Sequence, residues 1–310
     1  MSGIKVSIIS PIYNNSQYVK ELIHSLMNQS LAEIEIICVD DGSPDKSSIE
    51  YIKRCAHSDD RIRIIEQENH GAGYAINRGI DAARGDYIAE VDSDDSVLPQ
   101  MYEYLYSISD ECDIVKSGII FDGGIRTAEM SITTEDTGIF CPRELYFTDR
   151  LKWFSFQPSM WSGIYRRDYI ERNGIRMSET EGGAFQDTSM IFELNARAET
   201  AKATAKNFYR WRVDNSASAT KSKKYPLALL KEYERMEKLL EDNPEYKYRL
   251  RTILSRLRFG SYSWNAERLG DDAEEFIIRA AEDLRRDWPY QDSRFYTEEE
   301  WISLQRWMTK

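Results

Sequence analysis

The first hundred residues alternate short apolar runs with stretches in which apolar positions recur every three or four residues. The apolar runs predict four strands: Lys5–Ile12, Glu35–Val39, Arg61–Ile65 and Asp86–Val91. The stretches between them predict helices: one that Ser16 caps and that runs through Gln29, then Asp45–His57 and Ala72–Ala83. Strands separated by helix-length segments imply βαβ units and a largely parallel sheet.

Beyond residue 100 the pattern is mixed, and after Lys224 it becomes purely helical. Strands are predicted at Asp113–Phe121 and Asn207–Val213, and a helix at Phe185–Ala198. Three amphipathic helices follow, at Leu227–Leu240, Tyr246–Trp264 and Ala273–Leu284, and the pattern also allows a fourth at Thr297–Met308. We therefore expect one α/β domain over residues 1–222 and a helical extension over residues 223–310.

Composition narrows the classes of protein. The 310 residues carry 53 acidic and 41 basic side chains, a net charge of -12, which argues against binding to nucleic acid. No run of 18 apolar residues occurs, and Met1–Lys5 leads straight into a strand without signal-peptide features, so we expect a cytoplasmic protein. The four cysteines form no CxxC pair, which disfavours a zinc site or a disulfide framework.

The acidic cluster Asp92-Ser93-Asp94-Asp95 follows a predicted strand. Ligands of parallel sheets bind at the carboxyl ends of strands. Three carboxylates in four residues repel one another, and a hard cation such as Mg²⁺ or Mn²⁺ neutralises such a group. The alternative is a turn whose aspartates cap the next helix.

Four further patterns suggest a ligand site, and each also has a purely structural interpretation. Val39–Asp45 places aspartates and a glycine at a second strand end, and Asn69–Gly73 is glycine-rich, although Ile76 replaces the third glycine of a dinucleotide-binding motif. Glu181–Asp187 places a carboxylate at a helix start, where it also suits the helix dipole. Tyr209–Arg212 alternates, so both arginines share one strand face and can clamp a diphosphate.

Taken in order, these motifs resemble the family 2 glycosyltransferases, which have a GT-A fold. The matching segments lie within about residues 4–220: Val6–Asn15, Val39–Ser43, Ala75–Ile80 with Gly85–Ile88, Asp92–Asp95, Trp161–Arg167, Phe185–Thr188, and Tyr209–Arg212 with Ser216. The resemblance implies an α/β GT-A domain with a nucleotide-binding half over residues 1–98 and an acceptor-binding half over residues 99–222.

The resemblance also implies a reaction and its residues. The expected activity is transfer of a sugar, with inversion, from a nucleotide-diphosphate donor, usually a UDP-sugar, to a glycan or lipid-linked saccharide. The residues implied for donor binding are Pro11, Tyr13, Asn14, Asp41, Gly71, Asn77, Asp92, Asp95 and Arg212. Asp94, with Asp92, is implied as the ligand of a divalent cation, Mn²⁺ or Mg²⁺, and Asp187 as the catalytic base.

Two features depart from the family pattern. Gln186 stands where the family often has glutamate, and no histidine follows His70. A metal ion would therefore depend on Asp94, phosphates and water, or arginine would take over part of its charge. Two other functions stay open: a metal-dependent nucleotidyltransferase, and a degenerate glycan-binding or scaffold protein. The apolar stripes of the extension must be covered by the α/β domain, by a second copy in a homodimer, or by peripheral contact with the inner face of a membrane.

Overall fold

A computed structural model describes residues 3–123, 128–156, 160–180, 184–215 and 221–310. Two of the motifs named above, Glu181–Gly183 and Ser216, lie outside the described residues. Within the described ranges one sheet contains nine strands: β1 (Val6–Ile12), β2 (Ile34–Asp41), β3 (Ile62–Gln67), β4 (Tyr87–Glu90), β5 (Ser96–Val97), β6 (Ile114–Asp122), β7 (Ala128–Met130), β8 (Gly163–Arg166) and β9 (Ala201–Arg212).

The sheet is mixed, with a parallel block formed by the first half of the chain. Its order is β3-β2-β1-β4-β8-β6-β9-β5, and β7 pairs with β6. Strands β1 to β4 are mutually parallel, whereas β8 runs antiparallel to both β4 and β6. Val6 of β1 lies opposite Ile34 and Tyr87, and all eight residues of β2 are buried. The β-branched runs of the sequence therefore form the centre of the core.

Seven helices of the α/β domain are described: α1 (Val19–Met27), α2 (Ser47–Ala56), α3 (Ala72–Ala82), α4 (Met101–Ser107), α5 (Phe147–Ser155), α6 (Arg167–Asn173) and α7 (Gln186–Arg197). The predicted cap at Ser16 is wrong. Helix α1 begins at Val19, because the carbonyl oxygen of Asn15 accepts from the N–H groups of Tyr18 and Val19 in a preceding turn.

Four strands differ from the prediction: β5, β7 and β8 were not predicted, and β9 is longer than expected. β9 begins at Ala201, six residues before the predicted start, and pairs along β6 from Ile114 to Asp122. Its first half alternates alanine with polar residues, a composition with low strand propensity, so the ladder with β6 decides its conformation. β8 was not predicted, because four residues within a short segment give no clear period.

The helical extension contains α8 (Ala228–Asp242), α9 (Pro244–Leu269), α10 (Glu274–Asp287) and α11 (Glu298–Trp307). All four predicted helices are present, and the fourth begins with a capping box between Thr297 and Glu300. The extension packs on the α/β domain: Phe147 stacks on Phe295 at 3.6 Å between ring centroids, and Arg150 donates to the carbonyl of Arg249 over 2.6 Å. In the described parts of the chain, no helix combines the length and the apolar character that crossing a bilayer requires.

Candidate active site

The acidic turn Asp92–Asp95 follows β4, at the edge of the sheet where the parallel strands β1 and β2 also end. Distant side chains hold this turn. The Tyr209 hydroxyl donates to Asp95 Oδ2 over 2.6 Å, and the Arg212 N–H donates to Asp95 Oδ1 over 2.7 Å. Both oxygens of the buried Asp95 are thus used within the protein, so Asp95 anchors the turn. Asp92 and Asp94 are the partly exposed carboxylates of the turn.

Negative charge accumulates around this turn. Glu90 ends β4 as a buried carboxyl, and its Oε1 accepts no hydrogen bond from the residues that the structure describes. Burial, and then the charges of Asp92 and Asp187, raise the pKa of Glu90 well above its ordinary value. Burial, and then the charge of Asp94, raise the pKa of Asp92 to about 7. Like-charged carboxyls in a buried site disfavour one another's ionisation, and this raises their pKa values.

Asp187 lies in the first turn of α7 and belongs to the same electrostatic site. Burial, followed by the charges of Asp92 and Glu232, raises the pKa of Asp187 to about 7. Lys116 of β6 is buried nearby, and burial lowers its pKa to about 7 although the charge of Asp187 opposes that shift. The structure therefore brings Asp92, one of the two predicted metal ligands, within electrostatic range of the predicted base Asp187, which comes from the other half of the domain.

The predicted donor-binding residues of the first strands lie at the same sheet edge. Asp41 ends β2, and its carboxylate accepts from the N–H groups of His70 and Gly71 over 2.9 and 2.8 Å. Gly71 precedes α3 with φ 94°, a value that requires glycine, and no atom lies within 4 Å of the position that a Cβ would take. Tyr13 is 48% exposed just after β1.

The turn after β1 is tied to its neighbours by hydrogen bonds. The N–H of Asn14 donates to the Ser43 hydroxyl over 3.1 Å, and Asn14 adopts φ 52°. Pro11 pairs with Val39 one residue before β1 ends at Ile12. The open space at Gly71, the exposed ring of Tyr13 and the buried carboxylate of Asp41 together suit the binding of a nucleoside.

Like Asp95 and Asp41, two more predicted donor ligands use their polar atoms within the protein. The Asn77 amide donates to the Met177 carbonyl over 3.0 Å and to Glu179 over 2.9 Å, and its oxygen accepts from the Met177 N–H. Arg212 donates to the Asp94 carbonyl over 2.8 Å and pairs with Glu21. Asn77 therefore fixes the segment at residues 177–180, and Arg212 fixes the acidic turn through its hydrogen bond to the Asp94 carbonyl.

The sequence interpretation did not include three buried charged residues of this site. Glu90 and Lys116 each interrupt an otherwise apolar strand, and a charged residue in a buried strand was a signal that could have identified them. Glu232 gave no such signal, because it lies among many other charges on an amphipathic helix.

The carboxylates of the acidic turn suit a metal ion that substrate phosphates help to hold. Among the described residues, no group of three carboxylate, thiol or imidazole side chains forms a ready-made metal cage. Asp94 has one oxygen engaged by the Asn215 amide at 2.6 Å, and Asp92 stands two residues before it. Mg²⁺ is commonly held by one or two carboxylates together with phosphates and water, so Asp92 and Asp94 fit such an ion.

Comparisons with known proteins agree with this geometry. The family model described as glycosyl transferase family 2 matches residues 7–172. The chain is 34% identical over 219 residues to the uncharacterized glycosyltransferase YibD of Escherichia coli, an alignment that covers 69% of this chain and 62% of that protein. The chain thus spans less than two thirds of that relative's length.

Two solved structures share the fold. The crystal structure of S. aureus TarS in complex with UDP-GlcNAc superposes with a TM-score of 0.77 at 21% identity, over 94% of this chain and 82% of that one. The mannosyltransferase PcManGT from Pyrobaculum calidifontis, in complex with GDP-Man and Mn²⁺, gives a TM-score of 0.60 at 16% identity, over 98% of this chain and 85% of that one.

Proposed function

The chain belongs to glycosyltransferase family 2, and we propose that it transfers a sugar from a UDP-sugar, with inversion, to a hydroxyl of a glycan or lipid-linked saccharide. The family and the shared fold confirm the predicted α/β GT-A class with its helical C-terminal region, and they identify the chain as a glycosyltransferase. The donor sugar, the metal ion, the base and the stereochemistry belong to the proposal.

The observation that carries the proposal is the common electrostatic environment of Asp92 and Asp187. The charge of Asp92 is the second cause, after burial, of the raised pKa of Asp187. An inverting transfer needs a diphosphate site and a proton acceptor close enough to act on one anomeric carbon. In our proposal the turn Asp92–Asp95 is the diphosphate site and Asp187 is the acceptor.

The donor's nucleoside is assigned to the edge formed by the ends of β1 and β2. In our proposal Pro11, Tyr13 and Asn14 contact the nucleoside from the end of β1, and Asp41 with Gly71 contacts it from the end of β2 and the start of α3. TarS, which shares the fold, holds UDP and UDP-GlcNAc in its crystal structures, and this supports a uridine nucleotide here. We assign Asn77, Asp95 and Arg212 to the support of this site, because their contacts hold its walls.

A divalent cation at Asp94 and Asp92 is part of the proposal, and the Mn²⁺ complex of PcManGT supports it. When bound, such a cation would offset the negative charge of the diphosphate leaving group. Asp187 would accept the proton of the acceptor hydroxyl, and a pKa of about 7 suits a base that works near neutrality. Direct displacement at the anomeric carbon needs no covalent intermediate, so the proposal assigns no nucleophilic Ser or Cys.

Three finer assignments remain proposals about the whole protein. The acceptor is a glycan or lipid-linked saccharide, and the location is the cytoplasm, with peripheral contact at the inner membrane face. The extension forms a homodimer contact. Exposed apolar side chains of the extension support such a contact, namely Trp264, Ile278, Trp288, Tyr290 and Ile302.

A donor screen tests the proposed function. The full chain is incubated with a panel of UDP- and GDP-sugars in Mn²⁺ or in EDTA, and release of nucleoside diphosphate is measured. We expect UDP release from a UDP-sugar in Mn²⁺ and loss of release in EDTA. Pyrophosphate release from a nucleoside triphosphate would instead indicate a nucleotidyltransferase. Nucleotide binding without turnover of any donor would indicate the degenerate scaffold.

A further inference from the structure

A carboxylate of the helical extension lies inside the α/β domain. Glu232 of α8 is completely buried, and three hydroxyl groups of the α/β domain donate to it. Ser178 donates over 2.6 Å and Thr180 over 3.2 Å to one oxygen, and Ser189 donates to the other. The extension therefore penetrates the domain with a polar group, rather than covering it with apolar surface alone.

Burying the carboxylate of Glu232 is energetically unfavourable unless its oxygens are hydrogen-bonded. Burial raises the pKa of Glu232 and opposes its ionisation, while the hydroxyl donors and the charge of Arg235 favour the ionised form. The Arg235 guanidinium itself donates to the Arg176 carbonyl and to Glu193. A leucine at position 232 would cover the domain without burying a charge. The hydrogen bonds of Glu232 are thus better explained by the segments that they fix than by stability.

Those segments flank the candidate base. Ser189 follows Asp187 by two residues in the first turn of α7. On the other side, Gln186 donates from its side-chain amide to the Thr180 carbonyl over 2.7 Å. Hydrogen bonds therefore connect Glu232 to Thr180, Thr180 to Gln186, and Ser189 to Glu232. The backbone from Gln186 to Ser189 closes this loop and carries Asp187.

The residue before this turn is also held by the extension. Phe185 adopts the left-handed conformation at φ 68°, which is unfavourable for a residue with a side chain. Its ring meets the Trp264 ring edge-on at 5.9 Å, and the Arg268 guanidinium lies 5.3 Å from the ring centroid. Both partners belong to α9. The extension therefore contacts the chain on each side of Asp187.

We propose that Glu232 is a positioning residue for the candidate base, and that the helical extension is thereby part of the active site. The inference rests on the proposed function, because it gives Asp187 the role of base. Its physical reason is orientation: the Glu232 carboxylate fixes Ser189 and the 177–180 segment, and these fix the first turn of α7. A displacement of about 1 Å at a reacting group reduces turnover by about a hundredfold.

The test compares Glu232→Gln with Glu234→Gln in the full chain. Glu234 lies on the same helix and is exposed, so its variant removes the same charge without touching the α/β domain. Turnover is measured with the donor that the screen identifies as fastest. We expect Glu232→Gln to lower kcat about tenfold to a hundredfold, with the KM for the donor unchanged. Glu234→Gln should match the unmodified chain in both constants.

A second variant separates positioning from folding. Ser189→Ala removes one hydroxyl and leaves the extension intact. If Glu232 acts through Ser189, Ser189→Ala should also lower kcat, and the double variant should lose less than the sum of the two single losses. This result stands even where Glu232→Gln lowers the melting temperature, since kcat is expressed per folded protein. Equal kcat values for Ser189→Ala and the unmodified chain, or additive losses in the double variant, would overturn the inference.

The variant Asp187→Asn tests the role of Asp187 as base separately from the positioning role of Glu232. If Asp187→Asn loses turnover while Glu232→Gln keeps it, the inference is wrong and the proposed base stands. If Asp187→Asn keeps normal turnover, the base assignment is wrong and the inference falls with it.

Discussion

Two groups of buried charges show how differently one chain treats ionised side chains. At the sheet edge, carboxyls of one sign gather: Glu90, Asp92, Asp95 and Asp187. In the helical extension, charges of both signs alternate: Arg251, Arg258, Glu237 and Asp287. Arg258 is completely buried and contacts Glu237 at 2.7 Å and Asp287 at 2.6 Å.

The pKa values record this difference. Burial raises the pKa of Glu237, but Arg258 and Arg251 outweigh it, and the pKa falls to about 2. For Asp287 burial prevails over the same arginines, and its pKa is raised. At the sheet edge burial and like charges act in the same direction, so the pKa of Asp187 and that of Asp92 rise to about 7. The cluster of the extension pairs opposite charges between helices, whereas the carboxyls at the sheet edge raise one another's pKa values.

The largest expected effect is on catalysis. Asp187→Asn removes the proton acceptor while keeping size and shape, so we expect kcat to fall about a hundredfold to ten-thousandfold. The melting temperature should not fall, because the change removes a carboxylate from a crowded group of like charges. Steady-state kinetics with the fastest donor, alongside thermal unfolding, measure both. A variant with normal turnover would show that another group is the base.

The next effect is on stability, in the other cluster. Arg258→Met leaves Glu237 and Asp287 buried with fewer partners, and we expect a loss of about 3–5 kcal/mol in the free energy of unfolding. Arg279→Met on α10 is the matched control, because Arg279 and its partner Glu275 are both exposed; we expect a change below about 1 kcal/mol. Urea unfolding measures both variants. Equal losses would mean that burial does not distinguish the two ion pairs.

A smaller effect follows from pH. In the folded chain the pKa of Asp187 and of Asp92 lies above the ordinary aspartate value of 3.8, so the folded chain binds more protons than the unfolded chain between about pH 4 and 7. Stability without metal should therefore fall as pH rises from 5 to 7. The pKa of Glu237 is shifted in the opposite direction, so its contribution to stability is lost only as pH falls below the ordinary glutamate value of 4.5. Melting temperatures across this window test the sign, and Asp187→Asn should flatten the slope. A melting temperature that rises with pH would contradict the account.

The sequence was sufficient for the parallel half of the fold. The strands β1 to β4 are nearly continuous apolar runs, and the helices between them have clear periods, so local pattern and tertiary structure agree. The pattern was insufficient for β8 and for the first half of β9, because pairing with β6 decides their conformation. The four helices of the extension were predicted because their apolar stripes are regular.

The site was predictable in part, through motifs rather than contacts. The sequence named the acidic turn and Asp187 as candidate residues, and the family resemblance implied that they act at one site. No local pattern could show that Asn77 donates to the Met177 carbonyl or that the Tyr209 hydroxyl donates to Asp95, because these hydrogen bonds join residues far apart in sequence. The role of Glu232 could not be predicted for the same reason, because its hydrogen-bond partners lie more than forty residues before it.

The most direct test of the central claim is UDP binding by isothermal titration calorimetry, in Mn²⁺ and in EDTA. The claim is that the turn Asp92–Asp95 holds a diphosphate through a divalent cation at Asp94. We predict that UDP binds in Mn²⁺, that EDTA weakens binding by more than about tenfold, and that Asp94→Ala in Mn²⁺ binds no better than the unmodified chain in EDTA. Equal affinity in EDTA, or normal Mn²⁺-dependent binding by Asp94→Ala, would contradict the account.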